Sequence, residues 1–355
     1  MFFFNNIFEI HLHLLTLFHL FMYHFFKFCL FFLSPEKAHY LSMDLLKFLN
    51  HIELLKLFFK VKSSPKVIFG LKFPNRLGMA AGFDKNARYV DVLETLGFGS
   101  VEIGTVTPRP QFGNPKPRLF RLKKEEAIIN RMGFNNEGVE QIIENLKKYS
   151  NRKIIIGGNI GKNKDTSNED AFKDYLVCYQ KLYPYVDYFT INVSSPNTPN
   201  LRALQDKDSL MKIINVLQDF KSNQDVKKPL FLKIAPDLNI DILKDIVAVY
   251  QLTNLDALVI SNTTIDFDIL KLEKEKAKNI GAGGLSGKPI FEKSNQIIRE
   301  IKYIDDSVRI IGVGGIDSGA KANVKLDLGC ELVQIYTGFI YKGPSLIKEI
   351  VEEIG

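Results

Sequence analysis

From residue 70 onward the chain alternates two patterns. Short apolar runs bounded by glycine and turn residues give way to longer stretches whose apolar positions recur at helical spacing. The short runs are "RLGMAAG", "SVEIGT", "KIIIGGNIG", "YFTINVS", "PLFLKIA", "ALVISN", "VRIIGVGG" and "LVQIYTG". Helical stretches lie between them, for example Asn86 to Leu96, Glu137 to Tyr149, Asn168 to Leu182 and Asp241 to Leu252. Strand–helix repetition of this kind predicts an α/β fold, a (β/α)8 TIM barrel. An open doubly wound sheet would carry a glycine-rich fingerprint directly after its first strand. Here the glycine clusters come late, at Gly281 to Gly287 and Gly312 to Gly315, which favours the barrel. An insertion between Pro108 and Met132 reads as a loop plus a short hairpin.

The chain before the barrel follows a different pattern. Leu41, Leu45, Leu46, Leu49, Ile52, Leu55 and Phe59 recur at helical spacing, and Ser34 with Pro35 marks a helix start. This predicts a small N-terminal helical domain with a large apolar face, over residues 22–62, joined to a barrel over residues 63–355 by "KVKSSPK". Residues 1–21 open a Phe-rich leader. Eleven phenylalanines fall within the first 33 residues. Asn5, Asn6, Glu9, four histidines and Lys27 interrupt it, so a helix lying in the membrane interface is favoured over a span. It lacks the positive start and small-residue cleavage site of a signal peptide. His11, His13, His19 and His24 have no acidic partner and no ligand spacing, so no metal site is read there.

Composition narrows the function classes. Hydrophobic residues at 46% and charged residues at 25% are globular values. The formal net charge of +7 fits an anionic substrate, a phosphate cofactor or an anionic membrane surface. The lysines are scattered over helical stretches and no nucleic-acid signature occurs, so nucleic acid is not expected as a partner. Cys29, Cys178 and Cys330 lie far apart in unlike contexts, and neither a disulfide framework nor a metal site follows.

In a barrel the chemistry sits at the C-terminal ends of the strands. Those ends offer Asp84 and Lys85, Thr105, Asn159 and Lys162, then Asn192, Ser194, Ser195 and Asn197. Lys233, Ser261, Asn262, Thr263, Gly314, Gly315, Tyr336 and Thr337 follow, and the insertion adds Asn130, Asn135 and Asn136. Paired carboxylates for glycoside hydrolysis and ligand sets for a divalent metal are both missing from this rim. Amide and ammonium groups suit a small, planar, anionic ligand. The glycine loops "GGLSGKP" and "GVGGIDSG" fall where barrels bind phosphate. A phosphate cofactor without metal or nucleophile apparatus points to FMN or PLP. Lys85 and Lys233 leave a Schiff-base lysine possible, so the residue chemistry alone keeps both.

Ten motifs in order carry a resemblance. "AAGFDKNA", "EIGTVTPRPQFGNPKPRLFRL", "INRMGFNN", "NIGKNKD", "INVSSPNTPNLR", "LKIAPDL", "SNTT", "GGLSGKP", "IIGVGGIDS" and "QIYTGFIYKGP" are similar to dihydroorotate dehydrogenases of the membrane-associated, quinone-dependent class. The match runs from about Phe28 to the C-terminus. The resemblance implies an FMN-containing barrel, one FMN per chain, that oxidises dihydroorotate to orotate in pyrimidine synthesis and passes electrons to a membrane quinone. It makes Ser195 the base that removes the C5 proton. A serine needs an oriented neighbour for this, and Thr198 and Thr263 are candidates. The family's soluble class carries Cys here, so Ser argues for the quinone class.

The same resemblance implies substrate contacts from Lys85, Asn130, Arg131, Met132, Gly133, Phe134, Asn192, Asn197, Asn262 and Thr263. FMN contacts would fall on Ala80, Ala81, Gly82, Thr105, Asn159, Asn192, Lys233, Ser261, Gly287, Gly315, Tyr336 and Thr337. His39, Arg121 and Tyr336 match positions near the quinone path. Ser261 stands where Thr is expected, and Gly158 replaces a branched apolar residue, which predicts looser packing. The family's typical start resembles Met22 onward, so residues 1–21 read as an added anchor or an upstream start. Peripheral attachment to the cytoplasmic side of a bacterial inner membrane is expected, as a monomer or weak homo-oligomer.

Overall fold

The computed structural model describes residue 23, residues 26–59 and residues 61–355. The leader over residues 1–21 lies outside the described residues, as do the expectations placed on it and on His24.

Eight parallel strands close into a barrel. In chain order the strands are β1 (Lys66–Ile68), β2 (Leu71–Phe73), β3 (Leu77–Met79), β4 (Ser100–Val106), β5 (Leu119–Leu122), β6 (Ala127–Asn130) and β7 (Ile155–Ile160). Then come β8 (Tyr188–Asn192), β9 (Leu230–Ile234), β10 (Ala257–Ile260), β11 (Gly284–Gly287), β12 (Ile310–Val313) and β13 (Cys330–Ile335). The barrel runs β3-β4-β7-β8-β9-β10-β12-β13 and returns to β3. Each apolar run that predicted a barrel strand forms one. Alternate residues of each strand face opposite ways. Ala257 and Val259 pack in the lumen with Tyr188, Phe231, Ile311 and Leu332, while Leu258 and Ile260 pack outward against the helices.

The hairpin β1–β2 stops the N-terminal end of the barrel. Phe69 at its turn lies 4.8 Å from the Phe231 ring, and the Arg309 guanidinium lies 4.0 Å from the Phe69 ring. The linker reading missed this hairpin because its strands are short and half exposed. In the lumen Gly157 is required by its neighbour: a Cβ there would sit 2.2 Å from the Tyr188 ring. The looser packing expected at Gly158 does not appear, because Val186 and Phe189 reach within 3.3 and 3.4 Å of where its Cβ would stand.

The insertion forms the expected hairpin, β5–β6. Part of the glycine-rich loop then adds to it as an antiparallel third strand, β11. This small sheet stands over the C-terminal mouth of the barrel.

Before the barrel, helix α1 (Pro35–His51) and the short α2 (Leu55–Phe58) pack against the helix Val90–Leu96 and the insertion. Proline at the first turn of α1 costs no hydrogen bond there. Glu36 pairs with Arg118 at 2.8 Å, with the two side chains 12% and 7% exposed. Arg118 also donates to the carbonyls of Phe112 and Asn114, so one buried cation ties the helix to the insertion. The opposite face is apolar and open: Leu41, Leu45, Phe48, Ile52, Leu57 and Phe58 are all exposed. Among the described residues no helix is long and apolar enough to cross a membrane.

Candidate active site

The barrel mouth holds a cavity whose wall is built from the ends of every barrel strand but β7 and capped by the insertion sheet. Its floor is a buried hydrogen-bond network. Thr105 donates to Asn159 Oδ1 at 2.6 Å, and Asn192 Nδ2 donates to Thr105 Oγ1 at 2.9 Å. Asn159 Nδ2 donates in turn to Glu102 at 2.7 Å. Glu102 also accepts from Gln334 at 2.9 Å and from the Tyr188 hydroxyl at 3.3 Å. Lys233 rises from β9 into this floor. It is 5% exposed and has no hydrogen-bond partner among the described residues. Burial lowers its pKa, and the charge of Glu102 opposes the shift. A buried ammonium facing a cavity without an acceptor is the donor half of an unfinished contact.

One side of the cavity carries the serine. Ser195 Oγ accepts from the Asn197 N–H at 3.3 Å. Asn262 Nδ2 donates to Ser194 Oγ at 2.9 Å, and Asn114 Nδ2 donates to the Asn197 carbonyl at 3.1 Å. Thr198 Oγ1 is buried without a partner among the described residues, while Thr263 Oγ1 donates to Asn262 at 3.4 Å. Lys85 stands on the same side, and burial lowers its pKa to about 8, partly offset by Glu36. Arg202 clamps two loops from behind. It donates to the Ser194 carbonyl at 3.0 Å, to the Thr263 carbonyl at 2.8 Å and to Asp237 at 2.9 Å.

The opposite side is bare backbone. Gly287, Gly314 and Gly315 have φ of +102°, +109° and +74°, where side chains are strained. A Cβ on Gly287 would meet the Glu126 carbonyl at 2.4 Å, and one on Gly315 would meet Phe291 at 2.5 Å. Ser286 and Thr337 hydroxyls bond to each other at 2.9 Å beside them. Concave N–H surfaces of this kind suit a phosphate.

The third side leads toward α1. Tyr336 lines the cavity and lies 5.6 Å from Phe83, which lies 4.8 Å from His39. Burial, and then the nearby Lys85 charge, depress the His39 pKa to about 4, so the imidazole is neutral at physiological pH.

Most of the residues singled out in the sequence meet at this cavity. Ser195, Lys85, Asn130, Met132, Gly133, Phe134, Asn192, Asn197, Asn262 and Thr263 line it. So do Ala80, Ala81, Gly82, Thr105, Lys233, Ser261, Gly287, Gly315, Tyr336 and Thr337. Four do not. Asn159 lies beneath the floor and acts through Thr105 and Asn192. Arg131 turns away, stacking on Phe120 at 4.6 Å and donating to the Ile280 carbonyl. Arg121 stacks on Phe31 at 4.3 Å and donates to the Leu33 carbonyl, fastening the segment before α1. His39 meets the cavity only through Phe83.

Two strand-end candidates take structural duties. Asp84 accepts from the N–H groups of Arg88 and Tyr89, both at 2.8 Å, and so starts the next helix at Val90 rather than Asn86. Lys162 donates to the Thr166 carbonyl at 2.7 Å. Reading strand ends alone missed Glu102, Gln334 and Arg202. Glu102 and Gln334 were detectable as polar residues inside otherwise apolar runs.

Comparison with known proteins agrees with this architecture. The family model described as "Dihydroorotate dehydrogenase" matches residues 65–355. The dihydroorotate dehydrogenase (quinone) of Christiangramia forsetii is 49% identical over 332 residues, covering 92% of this chain and 96% of its own. That of Acinetobacter baylyi is 47% identical over 334 residues, covering 92% and 97%. The crystal structure of DHODH from Eimeria tenella in complex with ferulenol superposes with a TM-score of 0.80 at 36% identity, covering 90% of each chain. At these identities and this coverage, the chain belongs to the dihydroorotate dehydrogenase family, in its quinone-dependent class.

Proposed function

We propose that this chain oxidises dihydroorotate to orotate in pyrimidine biosynthesis, with Ser195 as the base and a quinone as the final electron acceptor. The family match carries the reaction. The convergence of Ser195, Lys85, Asn130, Asn197 and Asn262 on one cavity wall supports the residue roles. The amides offer donors and acceptors that suit the ring amides of the substrate, and the Lys85 ammonium suits its carboxylate. Ser195 takes the proton from C5 while passing its own hydroxyl proton toward solvent, with Thr198 and Thr263 as the neighbouring hydroxyls that could carry it. Its hydroxyl is held in place by the Asn197 N–H, and Arg202 fixes the peptide before it.

The cavity fits FMN on two observations. Lys233 presents a buried ammonium with no hydrogen-bond acceptor among the described residues, and Gly287, Gly314 and Gly315 border the cavity at positive φ, each with protein atoms packed where a Cβ would stand. Gly287, Gly315 and Thr337 would hold the phosphate, Ala80 to Gly82, Thr105, Asn192 and Ser261 would border the ring, and Lys233 would face its electron-rich edge. When bound, FMN supplies the acceptor for the hydride leaving C6 and the donor for the quinone. PLP remains the alternative that a phosphate site with two lysines allows, and a flavin spectrum would remove it.

We read residues 22–62 as the quinone entry, with the exposed apolar face of α1 and α2 resting on the cytoplasmic side of a bacterial inner membrane. Neutral His39, Phe83 and Tyr336 give a path of aromatic surface from that face to the cavity. The reading is tested by measuring orotate formation with and without a short-chain quinone. Sustained orotate formation only with quinone supports it, and turnover that ignores quinone contradicts it.

A further inference from the structure

Behind the glycine turn lies a buried lysine that the mechanism does not use. Lys325 sits on the helix Gly319–Asp327 and is fully buried, with no exposed surface. Its side chain runs along the outer face of β12, where a Cβ on Gly312 would meet Lys325 Cδ at 3.1 Å. Such a lysine ordinarily finds a carboxylate, because an isolated buried charge is costly. Among the described residues Lys325 has none within salt-bridge distance. Its hydrogen bond goes to the Ser294 hydroxyl. Ser294 donates onward to the Val313 carbonyl at 2.7 Å. Ser294 Oγ also lies 3.1 Å from where a Cβ on Gly314 would stand. The relay therefore runs from the ammonium to the root of the Gly314–Gly315 turn.

The charged and titratable groups around it do not neutralise it. Cys330 is a buried thiol whose pKa is pushed up to about 12, so it carries no charge at neutral pH. Glu292 favours the ammonium, but it is exposed and its partner is Arg299, which opposes it. Burial pulls the Lys325 pKa down to about 7, so at neutral pH the ammonium is held only in part, and a nearby anion would favour it.

We propose that Lys325 is a positioning residue for the cofactor phosphate: a buried cation, relayed through Ser294, that completes its charge balance only when a phosphate sits against Gly314 and Gly315. The inference rests on the FMN reading above. Two effects follow from the geometry. The phosphate dianion gains a through-space attraction in a poorly screened interior, and the Val313 peptide is held so that the turn presents its N–H groups.

The test uses purified holoenzyme of the wild type, Lys325→Met and Lys325→Arg. Flavin release on dilution is read by fluorescence, with parallel exchange against added riboflavin, which lacks the phosphate. Lys325→Met is expected to weaken FMN retention by on the order of tenfold or more, and to reduce the preference for FMN over riboflavin by the same factor. Lys325→Arg should restore most of both. Equal weakening of FMN and riboflavin would mean a packing role and would overturn the inference, as would unchanged FMN retention in Lys325→Met. If Lys325→Met folds poorly, Lys325→Gln keeps the bond to Ser294 without the charge, and the same two readouts decide. A wild type that holds no flavin would overturn the cofactor reading itself, and the inference with it.

Discussion

Asn197 Nδ2 donates to Asn130 Oδ1 at 2.9 Å, joining the loop after β8 to the last residue of β6. These residues are 67 positions apart in sequence, and one comes from the barrel, the other from the insertion. Asn130 is held in turn by its donation to the Gly284 carbonyl at 3.2 Å, across the β6–β11 pair. The serine loop and the cap over the cavity thus share one amide contact. Asn130→Ala should raise the KM for dihydroorotate roughly tenfold or more, since it unpairs the half-buried Asn197 amide as well as removing a substrate contact. Steady-state kinetics at saturating quinone read this, and an unchanged KM would remove Asn130 from the substrate set.

Ser195→Ala should keep its flavin and fold while losing roughly a hundred- to ten-thousandfold in turnover, the usual range for a positioned base. The measurement is the rate of flavin reduction by dihydroorotate under anaerobic conditions. Loss of flavin together with rate would show that the serine loop supports the cofactor instead.

Arg202 gives a different signature. Arg202→Lys can keep an ion pair with Asp237 but cannot bridge both the Ser194 and Thr263 carbonyls. The expected outcome is a fall in kcat and in orotate affinity with little change in flavin content. Orotate binding is read from the perturbation of the flavin spectrum. A variant with normal orotate affinity would reduce Arg202 to a surface tie.

The pH dependence follows from Lys85. Burial lowers its pKa to about 8, and only the protonated form attracts the substrate carboxylate. As pH rises through about 8 the free enzyme loses that charge, so KM for dihydroorotate should rise while kcat changes less. The stability sign is the opposite. A lysine whose folded pKa lies below its unfolded value of about 10.4 binds fewer protons when folded, so its contribution makes stability rise with pH between the two values. Lys85→Met should flatten the KM profile, and a profile that keeps its inflection would assign it to another group.

Much of this architecture is legible in the sequence because barrel strands are buried on both faces. Runs such as "PLFLKIA" and "VRIIGVGG" must be strands, and their ends must carry the chemistry. What was not legible depends on contacts between distant segments. The glycines of "GGLSGKP" read as a loop, yet Gly284–Gly287 is a strand because β6 supplies a partner edge. Asp84 looked like a rim carboxylate and instead holds the turn that leads into the next helix, since its acceptors meet two N–H groups only four and five residues on. Arg131 sits inside a substrate-like motif but its side chain finds Phe120 and two carbonyls on the outer side. The Lys325–Ser294–Val313 relay joins two helices and a strand, and no local pattern announces it.

The central claim is that one cavity joins dihydroorotate, a flavin and a quinone. The most direct measurement is an anaerobic titration of the detergent-purified protein followed by visible absorption. The account predicts an oxidised flavin spectrum that bleaches on adding dihydroorotate and recovers on adding a quinone. A flavin that stays oxidised in excess dihydroorotate, or a protein without flavin absorption, would contradict it.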